Sequence, residues 1–270
     1  MSSRIFKDDL LAGRRAIVTG GGTGIGRAIA LELASLGADV ALFGRRAEPL
    51  EATAKEIAAA GRRALAIPTD IRQVDAVTAS VDRVAGEWGG IDVLVNNAGG
   101  HFVQPARITK PKGFAAVVES NLNGTFHVTQ AVATRAMIPQ NSGAIVNIVL
   151  DMWQGTPGAA HAGAARAAVE NLTKSLSMEW AEYGIRVNAI APGTIDTGGL
   201  DAYPADVKEN LRSVIPLQRF GRPEEIAWTV AWLVSEAGAF VTGETVCVDG
   251  GAKNWGGVWN VFDRARAAHR

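Results

Sequence analysis

Thr19-Gly20-Gly21-Gly22-Thr23-Gly24-Ile25-Gly26 is the stretch on which the reading of this chain turns. It follows a short apolar run at 14–19 (RRAIVT) and opens 24–36, where apolar residues recur at helical spacing until Gly37. Glycines between a strand and a helix let the backbone approach a pyrophosphate, whose charge meets the helix N-terminus. A plain tight turn also attracts glycine; the strand–turn–helix context is what favours a nucleotide.

Outward from that turn the pattern repeats. Residues 39–43 (DVALF) read as a second strand and 47–60 as a second helix. Buried-type strands follow at 64–68, 91–95, 144–149 and 187–190, and Val246 and Val248 suggest a last one. Helical stretches lie near 72–88, 110–138, 158–183 and 223–235. Such alternation implies right-handed crossovers and a parallel sheet covered on both faces. The expectation is one α/β domain of Rossmann type, a single doubly wound sheet with no linker and no internal repeat. Ligands of such sheets bind beyond the carboxyl ends of the strands, so the residues after each strand matter most.

Composition narrows the function classes. The 270 residues carry 27 Lys plus Arg against 27 Asp plus Glu, so the bulk charge of a nucleic-acid binder is missing. A hydrophobic fraction of 47% and a mean hydropathy of +0.09 supply a core and argue against disorder. Cys247 is the single cysteine, which excludes an intramolecular disulfide and a cysteine-rich metal site. No pair of His or carboxylates has metal-ligand spacing. The start, MSSRIFKDDLL, has charges where an export signal needs an apolar run. No apolar stretch reaches the ~18 residues of a membrane span. These features predict a reduced, soluble protein of the cytoplasm.

The glycine spacing is TGxxxGxG rather than GxGxxG, and at this point the chain resembles the short-chain dehydrogenase/reductase family. The resemblance extends over roughly 10–252: Asn96-Asn97-Ala98-Gly99, Asn121 in SNLNGTF, Pro192-Gly193 in RVNAIAPGTIDT, GRPEEIA, and VTGETVCVDGG ending at Gly251. It implies a nicotinamide cofactor held by Gly20, Gly22, Thr23, Gly24, Ile25 and Gly26. Asp70 and Ile71 match the pair that touches the adenine, and Asn97, Ala98 and Gly99 line the adenosine ribose and the sheet end. Pro192, Gly193, Ile195 and Thr197 complete the implied contacts. It further implies one domain over 1–270, with an arm at 1–10, a substrate lid at 196–215 containing Tyr203, and a tail at 252–270. The aromatic, glycine-spaced segment 255–262 either covers an acyl pocket or packs on a neighbouring subunit. The resemblance also suggests a homo-oligomer, dimer or tetramer, built through the fourth and fifth helices.

The second strand's end bears on the choice of dinucleotide. NAD binders place a carboxylate there for the ribose 2′-hydroxyl, and NADP binders place a cation. Here the strand runs into Phe43-Gly44-Arg45-Arg46, and by the resemblance Gly44 holds the acidic position. Arginine's planar fork binds phosphate through two hydrogen bonds. Two solvated arginines before a helix are the bland alternative. Arg45 and Arg46 favour NADP(H) over NAD(H).

The catalytic motif departs from the family pattern. Most members carry a Tyr and, four residues later, a Lys on the fifth long helix, with a Ser at the preceding strand end. In this chain Ala162 holds the Tyr position and Arg166 the Lys position, and 143–174 contains no serine. Tyr183 and Tyr203 are the two tyrosines, and four residues beyond them stand Val187 and Val207. The 2,4-dienoyl-CoA reductases resemble the chain at this point: their helix has also lost the Tyr, and the peroxisomal type has a stretch much like His161-Ala162-Gly163. The mitochondrial type has a strand-end Tyr fifteen residues before its helix Lys, which here falls on Asp151, with Gly155 four later. Bacterial dehydrogenases of acyclic terpenoid alcohols such as citronellol are a second resemblance, through 153–161 and the Ala-Ala-Arg that follows.

Four residues are catalytic candidates. Arg166 can bind ribose hydroxyls or an oxyanion but cannot relay a proton. Asn121 is expected to interrupt its helix beside the site; an acid stands there in the peroxisomal reductases, and an amide orients without protonating. Asp151, partly shielded at a strand end, can acquire a raised pKa and act as an acid, or be a solvated turn residue. His161 is either a group titrating near neutrality or a structural histidine, and His101 is a weaker candidate at the rim. Reduction of a carbonyl needs a proton donor beside the oxygen, which is the Tyr's task. Reduction of a conjugated thioester needs fixed donors at its oxygen instead. The reading is thus an NADP(H)-dependent oxidoreductase of fatty acid metabolism that reduces an enoyl- or dienoyl-CoA. The alternatives are a dehydrogenase of long terpenoid-type alcohols or aldehydes, and a catalytically silent nucleotide-binding protein.

Overall fold

The computed structural model describes residues 3, 5–198, 200 and 204–254. Seven parallel strands form one sheet in the order β3-β2-β1-β4-β5-β6-β7. They are β1 (Arg15–Thr19), β2 (Asp39–Gly44), β3 (Ala64–Pro68), β4 (Val93–Asn96), β5 (Gly143–Ile148), β6 (Ile185–Pro192) and β7 (Thr245–Val248). Strand order reverses between β1 and β4, whose register pairs Ala16 with Val93 and Val18 with Val95. A crevice opens at that reversal, beyond the strands' carboxyl ends.

Helices cover both faces, because the central strands are apolar on both. On one face α1 (Gly24–Ser35), α2 (Ala47–Ala59) and α9 (Pro223–Val234) pack Ile29, Leu33, Ile57 and Val230 against the sheet. On the other, α3 (Val74–Trp88), α5 (Gly124–Val132) and α7 (Ala160–Glu179) pack Val81, Val128 and Leu176. At the amino ends of β1 and β4, Asp92 accepts from the Arg15 backbone N–H at 2.8 Å and from its Nε at 2.7 Å.

The helical run over 111–140 is not uniform. α4 (Pro111–Val118) passes into a π-helical turn at Glu119–Asn123, and α5 into a second at Ala133–Met137 before α6 (Ile138–Gln140). β4 starts at Val93, later than the 91 expected, because Ile91 is tied through its N–H and carbonyl to the Gln140 side chain, each at 2.9 Å. α8 (Ala205–Ser213) stands within the stretch expected to be a lid. A row of buried polar side chains crosses the second face. Asn96 Nδ2 donates to Thr129 at 2.7 Å and to Asn147 Oδ1 at 2.8 Å, and Asn147 Nδ2 donates to Thr173 at 2.9 Å. The row ties α5 to α7 across β4 and β5.

Candidate active site

A cleft of about 720 Å³ lies over the carboxyl ends of β1, β2 and β4. Its floor is the glycine turn. Gly20 and Gly24 have positive φ, +67° and +53°, which side chains with a Cβ rarely adopt. A Cβ at Gly26 would collide with the Gly20 carbonyl oxygen, so only glycine lets α1 start this close to β1. Thr19 joins the turn to the loop after β4, its hydroxyl accepting the N–H groups of Asn97 (3.0 Å) and Ala98 (2.9 Å). Asn97 Nδ2 in turn donates to the Thr19 carbonyl at 3.0 Å. The amides of Thr23–Gly26 at the start of α1 are thereby aimed into a rigid bay that suits a phosphate.

Arg45 and Arg46 follow β2 at the cleft's edge, both exposed. Among the described residues neither is in an ion pair. Asp70 and Ile71 also line the cleft, together with Arg72, which the sequence reading did not single out. Arg72 Nε donates to Asp70 Oδ1 at 2.9 Å, and this bond is the main reason the Asp70 carboxyl lies below its ordinary range. The signal for it is the bare spacing Asp-x-Arg, which many solvated loops share. A dinucleotide fits these residues: a bay that a Cβ would fill, free helix amides, and unpaired cations at the ribose end.

The other side of the crevice is built by the first π turn and by α7. Asn121 is buried within that turn, where its Nδ2 donates to the Val117 and Gly100 carbonyls, each at 2.8 Å. The side chain takes the carbonyl its helix releases and joins the helix to the loop after β4. Arg166 is buried on α7, its Nη1 donating to the Ile148 carbonyl at the end of β5, 2.7 Å away. No carboxylate pairs with it among the described residues, and burial draws its pKa down to about 10. Gly99 is where the two meet. A Cβ there would collide with Arg166 Nη2 and lie 2.5 Å from Asn121 Oδ1.

His161 and Ala162 are buried on the first turn of α7. The His161 imidazole packs edge to face on Phe102, a contact between residues far apart in sequence that no local pattern announces. His101 lines the cleft; burial, followed by the charges of His161 and Arg166, pushes its pKa down. Asp151 stands in a different group. Its charged neighbours are Asp249 and Lys253, beyond β7, and burial with Asp249 raises its pKa. Lys253 also sits over the Trp153 ring at 4.0 Å, fixing the loop after β5 to the segment after β7. The four catalytic candidates thus divide into Arg166, Asn121 and His161 on one hand and Asp151 on the other.

Pro192 and Gly193 end β6, with Gly193 packed too closely on Asp249 to carry a Cβ. Thr197 reaches the cleft beside Gly24, whereas the Ile195 side chain packs toward the core of α1 and α9 and lines a separate cavity of about 460 Å³. Tyr203 and the aromatic segment 255–262 lie outside the described residues. No described helix is long and apolar enough to cross a membrane.

Residues 20–253 match the model of a family described as enoyl-(acyl carrier protein) reductase. A probable 2,4-dienoyl-CoA reductase of Bacillus subtilis is 39% identical over 243 residues, covering 88% of this chain and 96% of its own. A 3-oxoacyl-(acyl-carrier-protein) reductase of Staphylococcus aureus is 41% identical over 240 residues, covering 88% and 97%. Among solved structures, a citronellol catabolism dehydrogenase of Pseudomonas aeruginosa superposes with a TM-score of 0.84 at 44% identity, over 92% of this chain and 98% of that one.

Proposed function

The chain belongs to the short-chain dehydrogenase/reductase family and is an NAD(P)-dependent oxidoreductase, and from that premise we propose that it uses NADPH to reduce a conjugated enoyl- or dienoyl-CoA thioester. The observation that carries the reading is the meeting of Arg166 with Asn121 around Gly99, with Ala162 in place of a phenol on the first turn of α7. The resemblance to Tyr-less dienoyl-CoA reductases and the similarity to the Bacillus subtilis protein support the same class.

Bound NADPH supplies a hydride from C4 of its nicotinamide. When that hydride reaches a carbon remote from the thioester, negative charge gathers on the thioester oxygen. Preorganised donors aimed at such an oxygen each lower the barrier by about 2.7–4 kcal/mol. Arg166 offers a buried guanidinium whose Nη2 has no acceptor among the described residues, and it also holds the ribose side of the cofactor. Asn121 holds the loop after β4 in place. Arg45 and Arg46 take the 2′-phosphate. We assign the proton for the carbon to Asp151, among the described residues the one carboxyl shifted toward its protonated form.

The test is NADPH oxidation with 2,4-hexadienoyl-CoA, crotonyl-CoA, a simple ketone and citronellal, and NADP⁺ reduction with citronellol. The thioesters should turn over and the ketone poorly. The similarity to the citronellol catabolism dehydrogenase favours a second reading, oxidation of a long terpenoid alcohol. Fast citronellol oxidation without turnover of either thioester would establish it and overturn the first. Tight NADPH binding with no turnover of any of them would leave a nucleotide-binding protein without chemistry.

A further inference from the structure

His161 is 2% exposed, and its Nε2 has no hydrogen-bond partner among the described residues. Buried polar nitrogens are seldom left bare, so each such group calls for an explanation. The other ring nitrogen is engaged. The Ala162 N–H, shared with the Ala159 carbonyl, donates to Nδ1 at 2.8 Å. A nitrogen that accepts carries a lone pair, which in the neutral ring puts the proton on Nε2. In the neutral ring the backbone of α7 therefore selects the tautomer, and the product is a fixed N–H donor without an acceptor among the described residues.

Phe102 connects this imidazole to the cleft. Its ring meets the imidazole at 4.4 Å between centroids with an interplanar angle of 75°, while Phe102 itself is 39% exposed and lines the cleft. Phe114 tilts toward the same imidazole at 6.4 Å. His101, also at the cleft wall, senses both His161 and Arg166, which sets all three around the crevice between the loop after β4 and α7. An apolar aromatic cover over one buried polar donor suits a ligand whose single oxygen is flanked by hydrocarbon.

We propose that His161 is a substrate-binding residue: its Nε2–H donates to the substrate's carbonyl oxygen, and Phe102 is the side chain that yields to admit that oxygen. The inference rests on the thioester reading for which oxygen is bound, although an aldehyde would meet the same donor. No proton leaves the imidazole.

The full chain with NADPH bound is assayed on 2,4-hexadienoyl-CoA and on citronellal. Replacing the donor with a thioether, His161→Met, should lower kcat/KM about tenfold to a hundredfold on the probe that is reduced, with the Kd for NADPH unchanged. His161→Gln, whose Nε2 can imitate the lost donor, should recover most of the loss. A His161→Met protein that binds NADPH normally and reduces the probe at the wild-type rate overturns the inference and leaves the thioester reading standing. Reduction of neither probe by the wild type overturns both. One measurement needs no variant: in the ¹H–¹⁵N spectrum of the chain with NADP⁺, crotonyl-CoA should move the His161 Nε2–H resonance downfield. An unmoved resonance, or a proton found on Nδ1, refutes the assignment.

Discussion

The two sides of the crevice treat arginine in opposite ways. Arg72, on the nucleotide side, stays near the surface and is hydrogen-bonded to Asp70, and that bond pushes its pKa up. Arg166, on the α7 side, is buried with the Ile148 carbonyl as its one acceptor among the described residues, and burial pulls its pKa down to about 10. The same division holds for their neighbours. Thr19, Asn97 and Ala98 satisfy one another, whereas among the described residues the His161 Nε2 has no partner and Asp151 is next to Asp249. On the first side the turn and the loop after β4 hold each other in place, and Arg45 and Arg46 stay exposed at its edge. The other holds charge and donors in positions that a ligand would satisfy, which is where perturbed groups with a catalytic role are found.

The sharpest way to break this contrast is Arg166→Met. Turnover should fall more than about a hundredfold, since misplacing reactants by ~1 Å already costs that much. The ligand-free protein should not lose stability and should gain about 1 kcal/mol, because an uncompensated buried charge has been removed. Steady-state rates and denaturant unfolding measure the two effects. A variant that turns over normally but unfolds easily would put Arg166 in the same structural class as Arg72.

On the nucleotide side the expected effect is smaller and concerns affinity. NADPH should bind more tightly than NADH, and Arg45→Ala should remove most of the difference, about ten- to a hundredfold, the worth of one charge-assisted phosphate contact. Fluorescence titration with both cofactors reads the ratio directly. Equal dissociation constants in the wild type would mean that the exposed pair Arg45 and Arg46 is mere solvated charge.

The smallest effect is the most diagnostic of the α7 side's electrostatics. Burial and then Asp249 raise the Asp151 pKa, so the folded state favours the protonated carboxyl. Its contribution to stability is full below the ordinary Asp range and is lost as pH rises through the raised value. Asp151→Asn should therefore stabilise the protein by a few tenths of a kcal/mol near neutral pH, since the group is partly solvated. That gain should vanish in acid. If Asp151 delivers the proton, the same variant also loses turnover and the wild type's decline toward high pH. Destabilisation by the substitution at neutral pH would contradict the sign argued here.

The nucleotide side was readable from sequence because its determinants are local. Glycines with forced geometry sit beside a buried strand, and β1 and β2 are apolar on both faces, which marks a parallel interior. The π turns at Glu119–Asn123 and Ala133–Met137 were less legible, since one extra residue in a turn barely disturbs an apolar repeat. Asn121 still gave a hint, as a polar residue within an otherwise core-facing stretch. α8 is hard to read because ADVKENLRS is short and mostly polar. On the α7 side the sequence placed Arg166, His161 and Asp151 correctly along their elements but not relative to one another. Which way Asp151 looks is decided by Lys253, Asp249 and Trp153, a hundred residues away or two, and only folding brings those influences together.

The row Thr129, Asn96, Asn147 and Thr173 has a practical bearing on redesign. Aliphatic packing tolerates sliding, but these hydrogen bonds are directional and lock α7 along its axis. A slip of one turn would carry Arg166 about 5.4 Å out of place and strip Asn147 of its partner. Thr173 lies two turns beyond Arg166, so the helix works like a tool with an exchangeable tip on an indexed shank. Diversifying 161–166 while keeping the four polar residues varies the reacting groups against an unchanged datum. Randomising the shank instead would scatter the tip, and selection for new substrates would then be searching misaligned enzymes.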